Sequence, residues 1–352
     1  MTVAIPFSQR LYDTLGPESF SREDQDDDDV FYRRPRLVAH LDPIALDTVQ
    51  RVIATLVVEP QPAILDLMAS LDSHLPESLT PGKVVGLGLN AVELERNPAL
   101  DQRVVHDFNR DPCLPFEDET FDVVLNTVSV EYLTKPVEVF AEVARVLKPG
   151  GLHLVILSNR MFSTKAVKLW CDSTEKERVW LVEDYFTHVT EAYDKPQIFT
   201  SQGKVRSADD HYAERGIPSD PVFAVYADKR GGSADRPPRP EIPSELGEPI
   251  DPDELASRKQ QLSKTLECPY CQEPFTKLDL EQSPFLEWDL AFVYVCLNNR
   301  CSYYVTSWDE MRDQGNIGFS CRLLYDPVRD RCHPTPDVGG QTDLKGRLSP
   351  RG

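Results

Sequence analysis

Four cysteines fall in two close pairs, Cys268 and Cys271 in "CPYC" and Cys296 and Cys301 in "CLNNRC", with 24 residues between the pairs. Two pairs joined by a hairpin-sized insertion supply four thiolates, the donor set of a tetrahedral zinc site. A four-sulfur tetrahedron also suits iron; zinc is the preferred reading. A second chemical set lies far upstream. Asp66 closes the apolar run "ILD", Gly88 to Asn90 close "KVVGLGLN", Asp107 closes "RVVHD" and Asn126 closes "FDVVLN". If these runs are parallel strands, such residues stand at the strand mouths, where open α/β sheets bind their ligands.

The elements that would position them alternate. "PIALDTVQRVIATLV" has apolar residues at helical spacing and stops before "EPQP". Strand-like runs follow at "AILDLM", "KVVGLGL", "RVVHDF", "FDVVLNTVSV" and "LHLVILSN". Helical patterns stand between them at "AVELERNPAL" and "PVEVFAEVARVLKPGG", and a further one follows at "STEKERVWLVEDYFTHV". Strands that are apolar throughout and separated by helices belong to a parallel sheet covered on both faces. "KPQIFTSQ" and "DPVFAVYADK" complete a doubly wound, mostly parallel seven-stranded α/β sheet by residue 229. The expected domains are an acidic, irregular segment at 1–39, the sheet domain at 40–229, a Pro-rich acidic linker at 230–262, a small cysteine-bearing β module at 263–328 and a disordered tail at 329–352.

The turn after the first strand, "LMAS", lacks the glycines with which a dinucleotide fold lets its backbone approach a pyrophosphate. A cofactor without phosphates asks less of that turn, and S-adenosylmethionine offers groups that backbone and carboxylates can serve. In order, "ILDL", "VVHDFNRDPCLPFEDETFDVVL" and "VEVFAEVARVLKPGGLHLVI" resemble the class I S-adenosylmethionine-dependent methyltransferases, a Rossmann-like fold, over roughly residues 40–229. "DLMASLDSHLP", "GLNAVELERNPAL", "SVEYL" and "LSNRMFSTKAVKLW" look like a type 11-like branch of that family which has no settled substrate and shares the unusual first turn.

The resemblance implies cofactor contacts from Asp66, Met68, Ser70, Gly88, Asn90, Asp107, Phe108 and Asn126. Asp66 would support the amino acid end through the turn, and Asp107 would accept from the adenine amino group. The family's ribose-binding acid would close the second strand, where this chain has Gly88; Asn90 or Glu93 then stand as substitutes. Asp66 and Asp107 have a plainer use as caps after a strand, and His74 and His106 are expected to bond locally.

Methyl transfer from a sulfonium is an in-line displacement that depends on alignment, and it needs a base only when the nucleophile starts protonated. Substrate-facing positions follow the fourth and fifth strands: Ser129, Asn159, Arg160 and Phe162, with Glu131 or Tyr132 as candidate base. The plainer readings are a solvated residue at a helix start for Glu131, a core aromatic for Tyr132 and a surface salt bridge for Arg160. "NTVSVEY" replaces the "NPPY"-like set of enzymes that methylate planar nitrogens, which disfavours a base or glutamine as acceptor.

The cysteine module resembles a zinc ribbon with a widened second knuckle. "CPYC" is also similar to the glutaredoxin motif, but a linker precedes it and a second pair follows it, so redox use is disfavoured. Cys321 and Cys332 lie outside the paired spacing and read as structural or free. A formal net charge of −20 over 352 residues argues against coating nucleic acid or anionic lipid, and arginines near the cysteines are interspersed with acids. The aromatics Tyr303, Tyr304 and Trp308 have base stacking as one use and hairpin packing as the plainer one. No signal peptide or spanning run is legible, which gives the expectation of a cytoplasmic protein without membrane attachment. The function expected is transfer of a methyl group to a small-molecule or protein acceptor, the ribbon docking a protein partner or substrate. The alternative is a non-catalytic adaptor with a methyltransferase-like fold that acts through the ribbon.

Overall fold

The structure, a computed structural model, describes residues 11–12, 15–189, 192–233, 238–246, 250–280, 290–314 and 319–338. The chain divides into two compact units, Met1–Thr200 with Val222–Ser244, and Ser201–Pro221 with Glu245–Gly352.

The first unit is built on β1 (Ala63–Leu67), β2 (Lys83–Gly88), β3 (Gln102–Val105), β4 (Phe121–Thr127), β5 (Leu147–Leu157), β6 (Gln197–Gln202) and β7 (Val222–Asp228), in spatial order β3-β2-β1-β4-β5-β7-β6. The first five strands run parallel, and β7 is antiparallel to β5. Alternate residues of one strand serve two cores, as a sheet covered on both faces requires. Leu65, Leu67 and Val124 pack on one side, and Ile64, Val123 and Leu125 on the other.

The second of those cores receives the stripe Ala45, Val49, Val52, Ile53 and Leu56 of a helix at Pro43–Leu56, whose cap Asp42 accepts from the N–H groups of Ile44 and Ala45. The first receives Phe140 and Val143 of a helix at Pro136–Val146, packed on Tyr185 and Phe186 of a helix at Glu175–His188. Thr174 and Glu177 close a capping box that starts the latter.

Part of the segment expected to be acidic and irregular is instead tied into the fold. Asp28 is buried; it takes two bonds from Arg22 Nη1 at 2.7 and 2.9 Å, and the Lys165 ammonium lies 3.3 Å away, itself fully buried. Lys165 Nζ also donates to the Asp26 carbonyl at 2.7 Å. Burial of a carboxylate is tolerable only with such partners. Residues 21–36 therefore form a strap tied to the sheet unit, not a separate irregular segment.

In the second unit, β8 (Glu245–Leu246) pairs with Ser201 and Gln202 of β6, and β9 (Thr276–Asp279), β10 (Phe292–Val295), β11 (Phe319–Asp326) and β12 (Arg331–Val338) make an antiparallel sheet of order β12-β11-β10-β9. A helix at Pro252–Thr265, capped by Asp251, occupies the end of the expected linker. The tail expected to be disordered from 329 instead supplies β12, because Arg322 needs it. Arg322 is fully buried, and Asp337 of β12 accepts from its Nε at 2.6 Å. Residues 339–352, and the aromatic-rich insertion at 281–289, lie outside the described residues.

Residues 302–313 form a helix, not a hairpin arm: Tyr304, Val305 and Trp308 sit at helical spacing and all are buried, which removes Tyr304 and Trp308 from any stacking surface. Segment 201–221, expected within the sheet domain, folds here. Gly216 has a φ of 68°, and a Cβ there would fall 2.4 Å from the Tyr304 ring. The Tyr304 hydroxyl donates to the Arg215 carbonyl and Asn299 Nδ2 to that of Glu214.

Candidate functional site

Two strand ends turn in unusual ways. Met68, just after β1, has a φ of 57°, and Val128, just after β4, has a φ of 49°. A β-branched residue in the left-handed region is an outlier that costs on the order of 1–3 kcal/mol and persists only where neighbours over-determine it. Here the Val128 N–H is held by the Ile156 carbonyl at 2.7 Å, and the next N–H after Met68, that of Ala69, by the Leu87 carbonyl at 2.9 Å. Both residues line one cavity of about 280 Å³ beyond the parallel strand ends.

Of the expected cofactor residues, Asp66, Met68, Ser70, Gly88, Asn90, Asp107 and Phe108 line that cavity; Asn126 lies buried outside its wall, accepting from the Ser129 hydroxyl at 3.1 Å. Among the substrate positions Ser129, Arg160 and Phe162 line it and Asn159 does not. Tyr132 is in the wall and Glu131 is not.

Asp66 is buried with Oδ2 lacking any hydrogen-bond partner among the described residues, and burial pushes its carboxyl up to about 6 against the pull of the Ser73 hydroxyl and His74. Asp107 combines both of its readings: Oδ1 accepts from the N–H groups of Asn109 at 2.9 Å and Arg110 at 3.3 Å, while the residue faces the cavity. Phe108 is buried, edge-on to His106 at 5.2 Å. His106 and His74 bond locally, to the Asp111 carbonyl and to Asp72, and line the cavity as well.

Gly88 stands where an acid was sought because no side chain fits. A Cβ there would lie 2.2 Å from the Ala69 carbonyl oxygen. The two substitutes, Asn90 and Glu93, have structural work. Asn90 Oδ1 accepts from Val92 N at 2.9 Å and Glu93 N at 3.2 Å, capping a helix at Ala91–Arg96, while its Nδ2 donates to the Tyr32 carbonyl at 2.7 Å. Glu93 accepts from the Arg36 N–H at 2.7 Å and from the Ser70 hydroxyl at 2.6 Å. Both therefore lash the strap to the cavity rim, and both remain close to the β2 mouth.

That strap is what the sequence reading missed. Asp28, Tyr32, Arg36 and His40 form part of the wall. Asn109 ties it in: its Nδ2 donates to Asp28 Oδ2 at 2.9 Å and to the Tyr132 carbonyl at 3.0 Å, and its Oδ1 accepts from the Thr134 N–H at 2.8 Å. The aromatic pair followed by three arginines in "VFYRRPR" was the available signal.

Tyr132 is a poor base as placed. Burial and the neighbouring Glu131 charge raise its phenol well above the usual range, and the hydroxyl oxygen accepts from the Phe162 N–H at 2.9 Å. Glu131 is buried, neither carboxylate oxygen has a hydrogen-bond partner among the described residues, and burial pushes it up to about 7 against Arg178. A carboxyl raised in the fold is protonated there at low pH and must ionise while buried as pH climbs. Its stabilising contribution is complete below about 4.5 and is lost as pH rises through about 7. Glu131→Gln should thus match wild type near pH 5 and exceed it at pH 8 by on the order of 3 kcal/mol, at 1.36 kcal/mol per pKa unit. Urea denaturation at the two pH values measures this, and an equal difference at both would refute it.

Residues 72–155 match the family model described as "Methyltransferase domain". Over this stretch the chain is similar to that family. Two curated relatives are similar over parts of this chain. The phthiotriol/phenolphthiotriol dimycocerosates methyltransferase of Mycobacterium tuberculosis is 38% identical over 81 residues, 22% of this chain and 30% of that protein. The malonyl-(acyl-carrier protein) O-methyltransferase of a Marinomonas species is 28% identical over 139 residues, 37% of this chain and 50% of that protein. The chain thus spans half or less of the length of the curated relatives it matches. Among solved structures, a complex between the Haloferax volcanii Trm112 methyltransferase activator and a methyltransferase aligns at 16% identity and a TM-score of 0.37, covering 54% of this chain and 91% of the other.

In the second unit Cys268, Cys271, Cys296 and Cys301 converge, their sulfurs all within 4.8 Å of one another. Cys268 and Cys301 are 3.7 Å apart and Cys271 and Cys296 3.6 Å. A tetrahedron with metal–sulfur bonds of about 2.3 Å has edges of about 3.8 Å, and two of the sulfur pairs stand close to that spacing. Cys268, Cys296 and Cys301 are buried in the same core as Tyr304, Trp308 and Leu323. Cys321 and Cys332 are free thiols. No described helix is long and apolar enough to cross a membrane.

Proposed function

We propose that the chain is an S-adenosylmethionine-dependent methyltransferase whose cofactor occupies the strand-mouth cavity, and whose second unit holds zinc on Cys268, Cys271, Cys296 and Cys301. The observation that carries the first part is the cavity itself: Asp66 and Asp107 at the ends of β1 and β3 face one space, with two strained backbone turns beside them and a carboxylate oxygen of Asp66 left without a partner. Unmet buried polar atoms of this kind call for a ligand.

When bound, the cofactor supplies a methyl group on a sulfonium, already activated for displacement. The chain's own part is to bind, orient and exclude water. Asp107 would accept from the adenine amino group beside the Phe108 ring, and Asn90 and Glu93 would serve the ribose end. The carbonyl and N–H groups of the 67–70 turn serve the amino acid end, with Asp66 beneath. Ser129, Tyr132, Arg160 and Phe162 define the acceptor's side, where Phe162 and Tyr132 stack at 6.0 Å. A flat or apolar acceptor suits these rings, and alignment is the main source of rate. One curated relative is named a phthiotriol/phenolphthiotriol dimycocerosates methyltransferase and the other a malonyl-(acyl-carrier protein) O-methyltransferase; the second name supports a tethered substrate without naming it. The four-cysteine unit is suited to docking a protein partner.

Incubating the zinc-loaded protein with a methyl-labelled cofactor and fractionated lysate, then reading proteins and small molecules by mass spectrometry, should reveal one class of labelled product. The label should disappear with Asp107→Ala, which is expected to weaken cofactor binding at least tenfold. Absence of label in every fraction, with cofactor bound, would favour a non-catalytic adaptor.

A further inference from the structure

Arg36 reaches the cavity from the strap in an arrangement that nothing above uses. Its guanidinium carbon lies 4.4 Å from the ring centroid of Phe31, 4.7 Å from that of Phe162 and 5.4 Å from that of Tyr32. Three aromatic rings thus surround the cation, and its donors lie in the plane of the guanidinium. Nη2 donates to the Phe31 carbonyl at 3.2 Å. Nη1 is buried and has no hydrogen-bond partner among the described residues.

The nearby carboxylates do not compensate it. Asp28 is engaged by Arg22, Lys165 and Asn109. Glu93 spends one oxygen on the Arg36 main chain and the other on Ser70. No carboxylate among the described residues stands within ion-pair distance of the Arg36 side chain. A buried guanidinium donor without an acceptor is costly, and a planar carboxylate that meets the fork edge-on recovers that cost with directional bonds. The Glu93 bond to the Arg36 N–H fixes the backbone, so the side chain is held ready in advance of a ligand.

We propose that Arg36 is the carboxylate receptor of the cavity, gripping in the plane of its guanidinium a carboxylate brought either by the amino acid end of the cofactor or by the methyl acceptor. The cofactor arm rests on the function proposed above; the acceptor arm needs only the cavity.

Calorimetry on the full, zinc-loaded chain separates the sources with three probes: S-adenosylhomocysteine, methylthioadenosine, which keeps the nucleoside thioether but lacks the amino acid, and benzoate. If the carboxylate is the cofactor's, Arg36→Met weakens S-adenosylhomocysteine at least tenfold and leaves methylthioadenosine within twofold. If it is the acceptor's, both nucleosides stay within twofold and benzoate binding falls at least tenfold. Arg36→Lys keeps the charge without the fork and should recover only part of the loss, and thermal melting confirms that both variants are folded. Equal losses for the two nucleosides, or no change with any probe, would overturn the proposal and leave Arg36 a stacked structural residue. Failure of the wild type to bind either nucleoside would strike the cofactor reading instead. Benzoate titrated into the unliganded protein still decides the receptor in that case: dependence on Arg36 supports it and indifference overturns it.

Discussion

Cys301→Ser protein is expected to lose its bound zinc and, with it, the fold of residues 262–338. Three of the cysteines are part of the second unit's core, with Cys268, Cys296 and Cys301 packed among Tyr304, Trp308, Leu323 and Tyr325. A segment of this size rarely gains more than a few kcal/mol from its apolar core alone, and a structural zinc contributes roughly 10–16 kcal/mol to small zinc folds. Metal analysis should give about one zinc per chain in the wild type and close to none in the variant. Hydrogen exchange should show protection lost across β10, β11 and the 302–313 helix. The loss should extend to 201–221, whose anchors are the Tyr304 ring, the Tyr304 hydroxyl and Asn299. Full protection in a metal-free Cys301→Ser protein would show that the four thiols are only packing groups.

Gly88→Ala is expected to have the largest effect on the first unit of any single methyl addition at the strand mouths. The added carbon would meet the Ala69 carbonyl oxygen at 2.2 Å, a backbone atom that cannot rotate away, and that carbonyl belongs to the turn held by Ala69 N–H to the Leu87 carbonyl. Either β2 or the turn must shift. Overpacking of this kind costs about 1–3 kcal/mol, and the shift falls on Met68 and Ser70 in the cavity wall. The expected result is a lowered melting temperature together with at least a tenfold loss in S-adenosylhomocysteine affinity. Unchanged binding by a destabilised Gly88→Ala protein would separate the turn from the ligand site.

The parallel strands were legible because burial on two faces leaves continuous apolar runs such as "AILDL" and "HLVIL", and because "LKPGG" and "EPQP" punctuate the helices between them. Asp66, Gly88 and Asp107 could be placed together at the strand mouths for the same reason: strand ends are visible in sequence, and the cavity lies beyond them. What stayed hidden depends on partners far apart in the chain. Asp28 reads as one of a solvated acidic run until Arg22, Lys165 and Asn109 surround it, the last two over 80 residues away. Segment 201–221 carries no sign of belonging with the cysteines, because its contacts to Asn299 and Tyr304 run through main-chain carbonyls. Residues 302–313 misled by composition: Tyr, Val, Thr and Trp favour strands, and only the burial of Tyr304, Val305 and Trp308 together identifies a helix.

The central claim is that carboxylates at the mouths of β1 and β3 hold an S-adenosyl ligand despite a first turn without glycine. Titrating S-adenosylhomocysteine into wild-type and Asp107→Ala protein by calorimetry tests it most directly. One site per chain in the wild type, weakened at least tenfold in Asp107→Ala with the melting temperature preserved, is the result expected. No heat of binding from folded wild-type protein, or equal affinity in the two, would contradict it.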